Sequence, residues 1–342
     1  MADTKIYTLY AGGVEMEVTN FGARVMKLFV EDREGNPTDI VLGYNTIEEY
    51  VDNKGERFYG APCGRYANRI ADGKFTIEGV EYTLPINNGP NSLHGGLKGI
   101  DMVVWDVVKV TESRIDFKYV SPDGAEGYPG EVTINMCYEL TPDSEFVIEY
   151  SATTTKATHL NLTHHSFFNL AGESSNHAVA DHVLRINADK YVPISEVCIP
   201  LGMYEDVEGT PFDFRVAKPI GQDENTEGNV QLKMGAGYDH SFVLNGKEGA
   251  MKFAAEVYDP ASGRKMEVYT DQPGMQFYGC NWLDGKTVSK DGEGAYIARG
   301  AYCFETQHHP DTPNQPAFPS TLLEPGEEYT HRCIYKFGTD NE

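Results

Sequence analysis

Between residues 131 and 140, apolar and polar residues alternate, with only Cys137 out of the pattern. Val132, Ile134, Met136, Tyr138 and Leu140 fall on one side, and Glu131, Thr133, Asn135 and Glu139 on the other. Successive side chains of an extended chain point to opposite faces, so this period predicts a strand with one buried face. The same period runs through residues 114–120 and 146–150, and the turn sequences SPDG and TPDS separate the three runs. That is the pattern of antiparallel neighbours. Further along, residues 251–258 and 265–269 flank DPASGR, a hairpin signal, and residues 328–337 predict a closing strand. Helical spacing is confined to a turn or two at 46–52. Strands regularly alternating with helices, and with them a parallel α/β sheet, are therefore not expected. The reading is an all-β, antiparallel chain. With no repeat, linker or low-complexity tract, residues 1–342 are read as a single domain.

The charge balance narrows the partners. Fifty-two acidic residues against 28 basic ones leave a net charge of −24, which repels phosphate backbones and anionic lipid surfaces. No nucleic-acid or membrane partner is expected. The six cysteines, at 63, 137, 198, 280, 303 and 333, form no CxxC pair and no metal-finger spacing. They are expected to be free thiols in a reducing compartment. The first twenty residues carry no basic-then-apolar leader, so the expectation is a cytoplasmic protein, or an exported one if a leader has been removed.

Four polar clusters interrupt the strand-like sequence: GRYANRI (64–70), NSLHGG (91–96), NLTHHSFFNL (161–170) and CFETQHHPDTPNQ (303–315). Arg65 or Arg69 could serve in an ordinary ion pair, and His94 could cap a turn before its two glycines. The adjacent pairs His164–His165 and His308–His309 invite a metal reading. Neighbours on a strand point to opposite faces and do not readily converge on one ion, so no metal is expected. One histidine of each pair is instead expected to face a cleft, where a single imidazole suits acid–base work near neutral pH. Alternation puts Glu305 on one face with Cys303 and Gln307, where partial desolvation would raise its basicity; a structural ion pair explains it equally well.

Together with YDHSF (238–242), and with NFGARVMKL and LEPGEEY near the two ends, these motifs resemble the aldose 1-epimerase family across nearly the whole chain and in family order. The resemblance implies a large antiparallel β-sandwich of the mutarotase kind, with a free aldohexose such as galactose or glucose bound in an open cleft. It implies that Glu305 is the general base and His165 the general acid, and that Arg69, His94 and Asp239 hold the sugar's hydroxyls and ring oxygen. Asn68 and Gln307, in the same motifs, are further candidate sugar-binding residues, and Trp282 is expected to shape the cleft because an indole offers a broad apolar face to the C–H side of a pyranose, an ordinary core tryptophan being the alternative. The implied reaction opens and recloses the ring by acid–base chemistry, with no cofactor and no metal, in a monomer or homodimer. The chain departs from the family pattern at His164, where Asn is usual, and at Gly279–Cys280–Asn281–Trp282, where a Thr-Gly-Asn-Phe type of run is usual. Competing readings are a glycoside hydrolase, for which Asp239 and Glu305 would be the carboxylate pair, a non-catalytic sugar-binding protein, and a hexose-phosphate epimerase, which the acidic balance disfavours.

Overall fold

A computed structural model describes residues 3–175 and 179–341. Its largest sheet has nine strands in the order Asp106–Val110, Arg114–Ser121, Val132–Leu140, Glu145–Thr154, Tyr329–Thr339, Arg264–Thr270, Lys252–Tyr258, Val183–Ile186 and Lys218–Pro219, and every pairing is antiparallel. The three alternating runs are consecutive neighbours within it, and Val132, Ile134, Met136, Tyr138 and Leu140 are all buried. The DPASGR segment closes the expected hairpin, and the closing strand inserts between Glu145–Thr154 and Arg264–Thr270.

A second sheet orders Glu205–Asp206, Ala188–Val192, Asp239–Leu244, Gly274–Tyr278 and Cys303–Gln307, while Ile6–Ala11, Val14–Thr19, Val25–Glu31 and Pro37–Asp39 form a third. One continuous apolar core joins the inner face of the nine-stranded sheet to the other two. Ile134, Ile148 and Val268 meet Phe242, Phe277 and Phe304 in it, along with Val18 and Leu28. This is the expected β-sandwich. Because Phe242, Phe277 and Phe304 point into that core, the alternate residues Asp239, Ser241, Gln276 and Glu305 are carried on the opposite face of the five-stranded sheet.

The helical turn expected at 46–52 is an α-helix, Ile47–Asp52. Thr46 Oγ1 accepts the Glu49 N–H, and the Glu49 carboxylate accepts the Thr46 N–H, a reciprocal cap that fixes where the helix starts. The helix ends on Asn53 in the left-handed region, which turns residues 53–58 toward the polar face of the five-stranded sheet. A second short helix, Val230–Met234, capped by Asn229, had no clear signal in the sequence.

Candidate active site

A cleft of about 820 Å³ opens on that polar face, with Arg69, His94, His165, Asp239 and Glu305 in its lining. Four of the sequence clusters meet here, and each arrives for a local reason. Arg69–Ile70 pairs with Ser92–Leu93, joining GRYANRI to NSLHGG. Beyond this short ladder Asn68 and His94 lock each other. The Asn68 N–H donates to His94 Nδ1 at 3.0 Å, and the His94 N–H donates to the Asn68 carbonyl at 3.1 Å. Both residues lie in the left-handed region, at φ 63° and 49°. A non-glycine residue reaches that region at a cost that its surroundings must offset. Arg69 Nε donates to Asn88 Oδ1 at 2.9 Å, and its guanidinium lies 3.8 Å from Asp239.

His165 ends the strand Thr163–His165, which pairs with Ala61–Cys63. The period of two sends the neighbouring imidazoles apart. His164 is bonded to Tyr138 and Ser166 on the core side, while His165 faces the cleft. The His165 ring stacks on Phe167 and Phe58 and meets His94 edge-on, with centroids 4.8, 5.9 and 5.2 Å away. Burial in this aromatic box pushes its pKa down to about 3. Its Nε2 lies 3.5 Å from Glu305 Oε1. Burial pushes the Glu305 carboxyl well above the usual carboxylate range, helped by Asp239 and opposed by Arg69. The buried pair therefore favours its neutral forms, a carboxylic acid beside a neutral imidazole.

His94, His165 and Glu305 each offer an atom within 4.8 Å of the other two, so a metal reading needs a chemical test. His94 Nδ1 accepts the Asn68 N–H. The proton of the neutral ring therefore sits on Nε2, which makes that nitrogen a donor. Only two free ligands remain, one short of the three protein ligands of a catalytic zinc site. The trio suits a hydroxyl-bearing ligand better than an ion, because His94 Nε2 offers a donor beside a pair of groups able to hold one proton between them.

The other expected sugar contacts divide. Asn68 lines the cleft, and Trp282 lies at its mouth, 60% exposed and outside the core. Gln307 shares the face of Glu305 but is fully buried and is not part of the cleft lining, because His309 folds back over this end of the sheet. The expectation that each histidine pair sends one member to the cleft holds for His165 and fails for the second pair. His308 bonds to Gln272 and His309 to Ser241, both away from the lining. Beyond the end of the strand Cys303–Gln307 its period of two no longer governs where side chains point. Sequence reasoning missed Gln276, whose Nε2 donates to Asp239 Oδ1 at 2.7 Å, and Glu56, Phe58 and Tyr278 in the cleft wall. A lone glutamine in the otherwise apolar run GMQFYG was the available signal for the first.

The six cysteines are free thiols, and no helix among the described residues is long and apolar enough to cross a membrane. Residues 5–336 match the family model described as aldose 1-epimerase. Galactose mutarotase from Bos taurus is 44% identical over 331 residues, spanning 97% of this chain and 93% of that protein. Aldose 1-epimerase from Escherichia coli K12 is 38% identical over 327 residues, spanning 95% and 92%. Among solved structures, a GalM/aldose epimerase homologue from C. elegans superimposes with a TM-score of 0.89 at 29% identity, covering 98% of this chain and 99% of that one. Galactose 1-epimerase from Lactobacillus acidophilus NCFM gives 0.82 at 28%, with the same coverage. With this match along nearly its whole length, and with the family's motifs gathered in one cleft, the chain belongs to the aldose 1-epimerase family.

Proposed function

We propose that the chain, as one catalytic domain over residues 1–342, interconverts the α and β anomers of a free aldohexose by acid–base ring opening and reclosure. Galactose and glucose are the first candidates. The observation that carries this reading is the buried pair His165 Nε2 and Glu305 Oε1, 3.5 Å apart in a sugar-sized cleft.

Anomer exchange removes a proton from the C1 hydroxyl and adds one to the ring oxygen. Glu305 as carboxylate takes the first, and His165 as imidazolium supplies the second. The C1–O5 bond opens, the free aldehyde turns about C1–C2, and reclosure reverses both transfers. The net proton count never changes, so the pair works as a unit holding one proton. In the sugar-free site burial leaves that proton on Glu305. A bound sugar lowers the cost of the charged arrangement without making it predominant, because its C1 hydroxyl donates to the carboxylate and its ring oxygen accepts from the imidazolium. Arg69 and His94 are donors for hydroxyls, Asp239 an acceptor, and Asn68 holds His94 in place. Trp282 offers an aromatic face at the mouth. A neutral sugar suits this site better than a phosphorylated one, since Glu56, Glu196, Asp239 and Glu305 outnumber Arg57 and Arg69 in the lining. Arg57 is moreover already bonded to Asp101.

The test is optical rotation of freshly dissolved α-glucose, α-galactose and α-xylose with and without protein, before and after chelator treatment. Acceleration for at least one sugar that survives chelation is expected. Loss restored by a divalent ion would overturn the metal-free reading.

A further inference from the structure

Behind the catalytic pair, the polar face of the five-stranded sheet continues out of the cleft. Glu305 lies opposite Gln276, Gln276 lies opposite Ser241, and Gln307 lies opposite Gly274. Directly opposed side chains stand about 5 Å apart, and residues two along a strand about 7 Å. Glu305, Gln276 and Gln307 thus form one triangle on one face. His309 roofs it. Its ring lies over Gly274, where a Cβ would come within 2.8 Å of the ring, its Nδ1 is 2.8 Å from Ser241 Oγ, and Tyr204 and Phe318 pack against it.

Glu305 Oε2, Gln276 Oε1, both amide atoms of Gln307 and His309 Nε2 are all buried and have no protein partner. Buried polar atoms in native proteins are satisfied, and an enclosed polar site of this kind is where internal water is held. The donor count is specific. Gln276 Nε2 is committed to Asp239, so its Oε1 can only accept. Glu305 Oε2, when ionised, can only accept. Gln307 Nε2 can only donate. One water that donates to the two oxygens and accepts from the amide satisfies all three.

We infer that Gln307 is a positioning residue for the reaction proposed above, fixing a buried water that donates to Glu305 Oε2 and so stabilises the ionised form of Glu305 that the reaction needs, with Oε1 turned to His165 and the sugar. This rests on the anomer-exchange reading and gives Gln307 a different task from sugar contact. A hydrogen bond to the carboxylate favours its charged form and offsets part of the burial that disfavours it. The other groups facing Glu305 pull in known directions: Asp239 and Glu56 raise it and Arg69 lowers it, while His165 and the buried thiols of Cys63 and Cys280 stay uncharged near neutral pH.

Gln307→Met keeps the volume and removes the donor. Because the pair shares one proton, raising the Glu305 carboxyl by about one pH unit moves the alkaline limb of the kcat profile up by about one unit and lowers kcat about tenfold, the size expected for one hydrogen bond to a charged group. KM should stay within about twofold and Gln307→Glu should not restore the rate, since a second carboxylate repels Glu305. An unmoved alkaline limb in a folded Gln307→Met protein, or a fall in affinity alone, overturns the inference. The wild-type crystal structure is the second arm and needs no variant. An ordered water within hydrogen-bond distance of Glu305 Oε2, Gln276 Oε1 and Gln307 Nε2 is expected, and a dry triangle overturns the inference. An active wild type with an unmoved limb removes this role and leaves anomer exchange standing. A folded but inactive wild type removes both.

Discussion

The outer face of the nine-stranded sheet and the cleft face of the five-stranded sheet are both polar, and they are polar in opposite ways. On the outer face, Arg114 reaches Asp116 and Glu139 at 2.8 Å each, and Arg332 reaches Glu149 at 3.2 Å, all with solvent access. On the cleft face the polar groups are buried, and several atoms lack partners: His165 Nδ1, Glu305 Oε2, Gln276 Oε1 and both ends of Gln307. Exposed, paired charges keep a surface wet and contribute little. Buried groups with spare hydrogen-bonding capacity are costly to keep, which is why they mark the region that acts on a ligand.

The largest effect expected from this contrast is on acid stability. All nine described histidines are held below their usual pKa by burial, seven of them at about 3 or 4: His159, His164, His165, His240, His308, His309 and His331. In the unfolded chain each takes a proton near pH 6.5, and in the fold it takes none until far lower. The unfolded state therefore binds more protons in that window, so stability is complete above pH 6.5 and is lost as pH falls toward 4. At up to about 1.4 kcal/mol per imidazole per pH unit, a stability on the order of 10 kcal/mol is exhausted within roughly two units. Raised carboxyls such as Glu305 and Asp239 oppose part of this loss. Urea midpoints at pH 7.5, 6.5 and 5.5 measure it. A midpoint flat with pH would mean that these rings are not buried in their neutral form.

Within the cleft, Glu305→Gln and His165→Asn are each expected to lower kcat by roughly 10²–10⁴-fold with the fold intact. The neighbouring residue sharpens the contrast. His164→Asn removes a ring bonded to Tyr138 and Ser166 in the core, so it should cost about 1–3 kcal/mol of stability and leave kcat within a few fold. If His164→Asn proves as damaging to kcat as His165→Asn while folded, the assignment of the acid is wrong.

How far the sequence could carry this depends on the range of each signal. The period of two read the central strands to within about a residue for Val132–Leu140 and Lys252–Tyr258, because those strands have one buried and one wetter face. It under-read Glu145–Thr154, which extends past the last clear apolar residue through cross-strand pairing. Alternation also separated His164 from His165, since both lie within one strand. It could not do so for His308 and His309, which follow a strand end, nor could it foresee that the roof formed by His309 seals Gln307 from the cleft. The meeting of Arg69, His94, His165, Asp239 and Glu305 depends on contacts between segments far apart in sequence. Those were legible only through the family's motifs.

Smaller effects test the edges of the contrast. Asp239→Asn keeps the Gln276 contact but removes the charge facing Arg69, and should raise KM about tenfold with a lesser effect on kcat. A change confined to kcat would make Asp239 part of the proton chemistry. Trp282→Phe should alter the relative rates for glucose, galactose and xylose while leaving the melting temperature within a degree or two, because the indole is 60% exposed. Unchanged ratios would remove Trp282 from sugar recognition. Arg114→Ala, on the outer face, should change stability by less than about 1 kcal/mol and activity not at all.

The most direct measurement is the rate at which fresh α-galactose approaches anomeric equilibrium, followed by polarimetry near pH 7 with wild-type protein and with Glu305→Gln. A rate that rises in proportion to wild-type protein and falls to the spontaneous value with the variant is the predicted result. A folded wild type that accelerates none of α-galactose, α-glucose and α-xylose, or a Glu305→Gln variant as fast as wild type, would contradict the assignment of this cleft to anomer exchange.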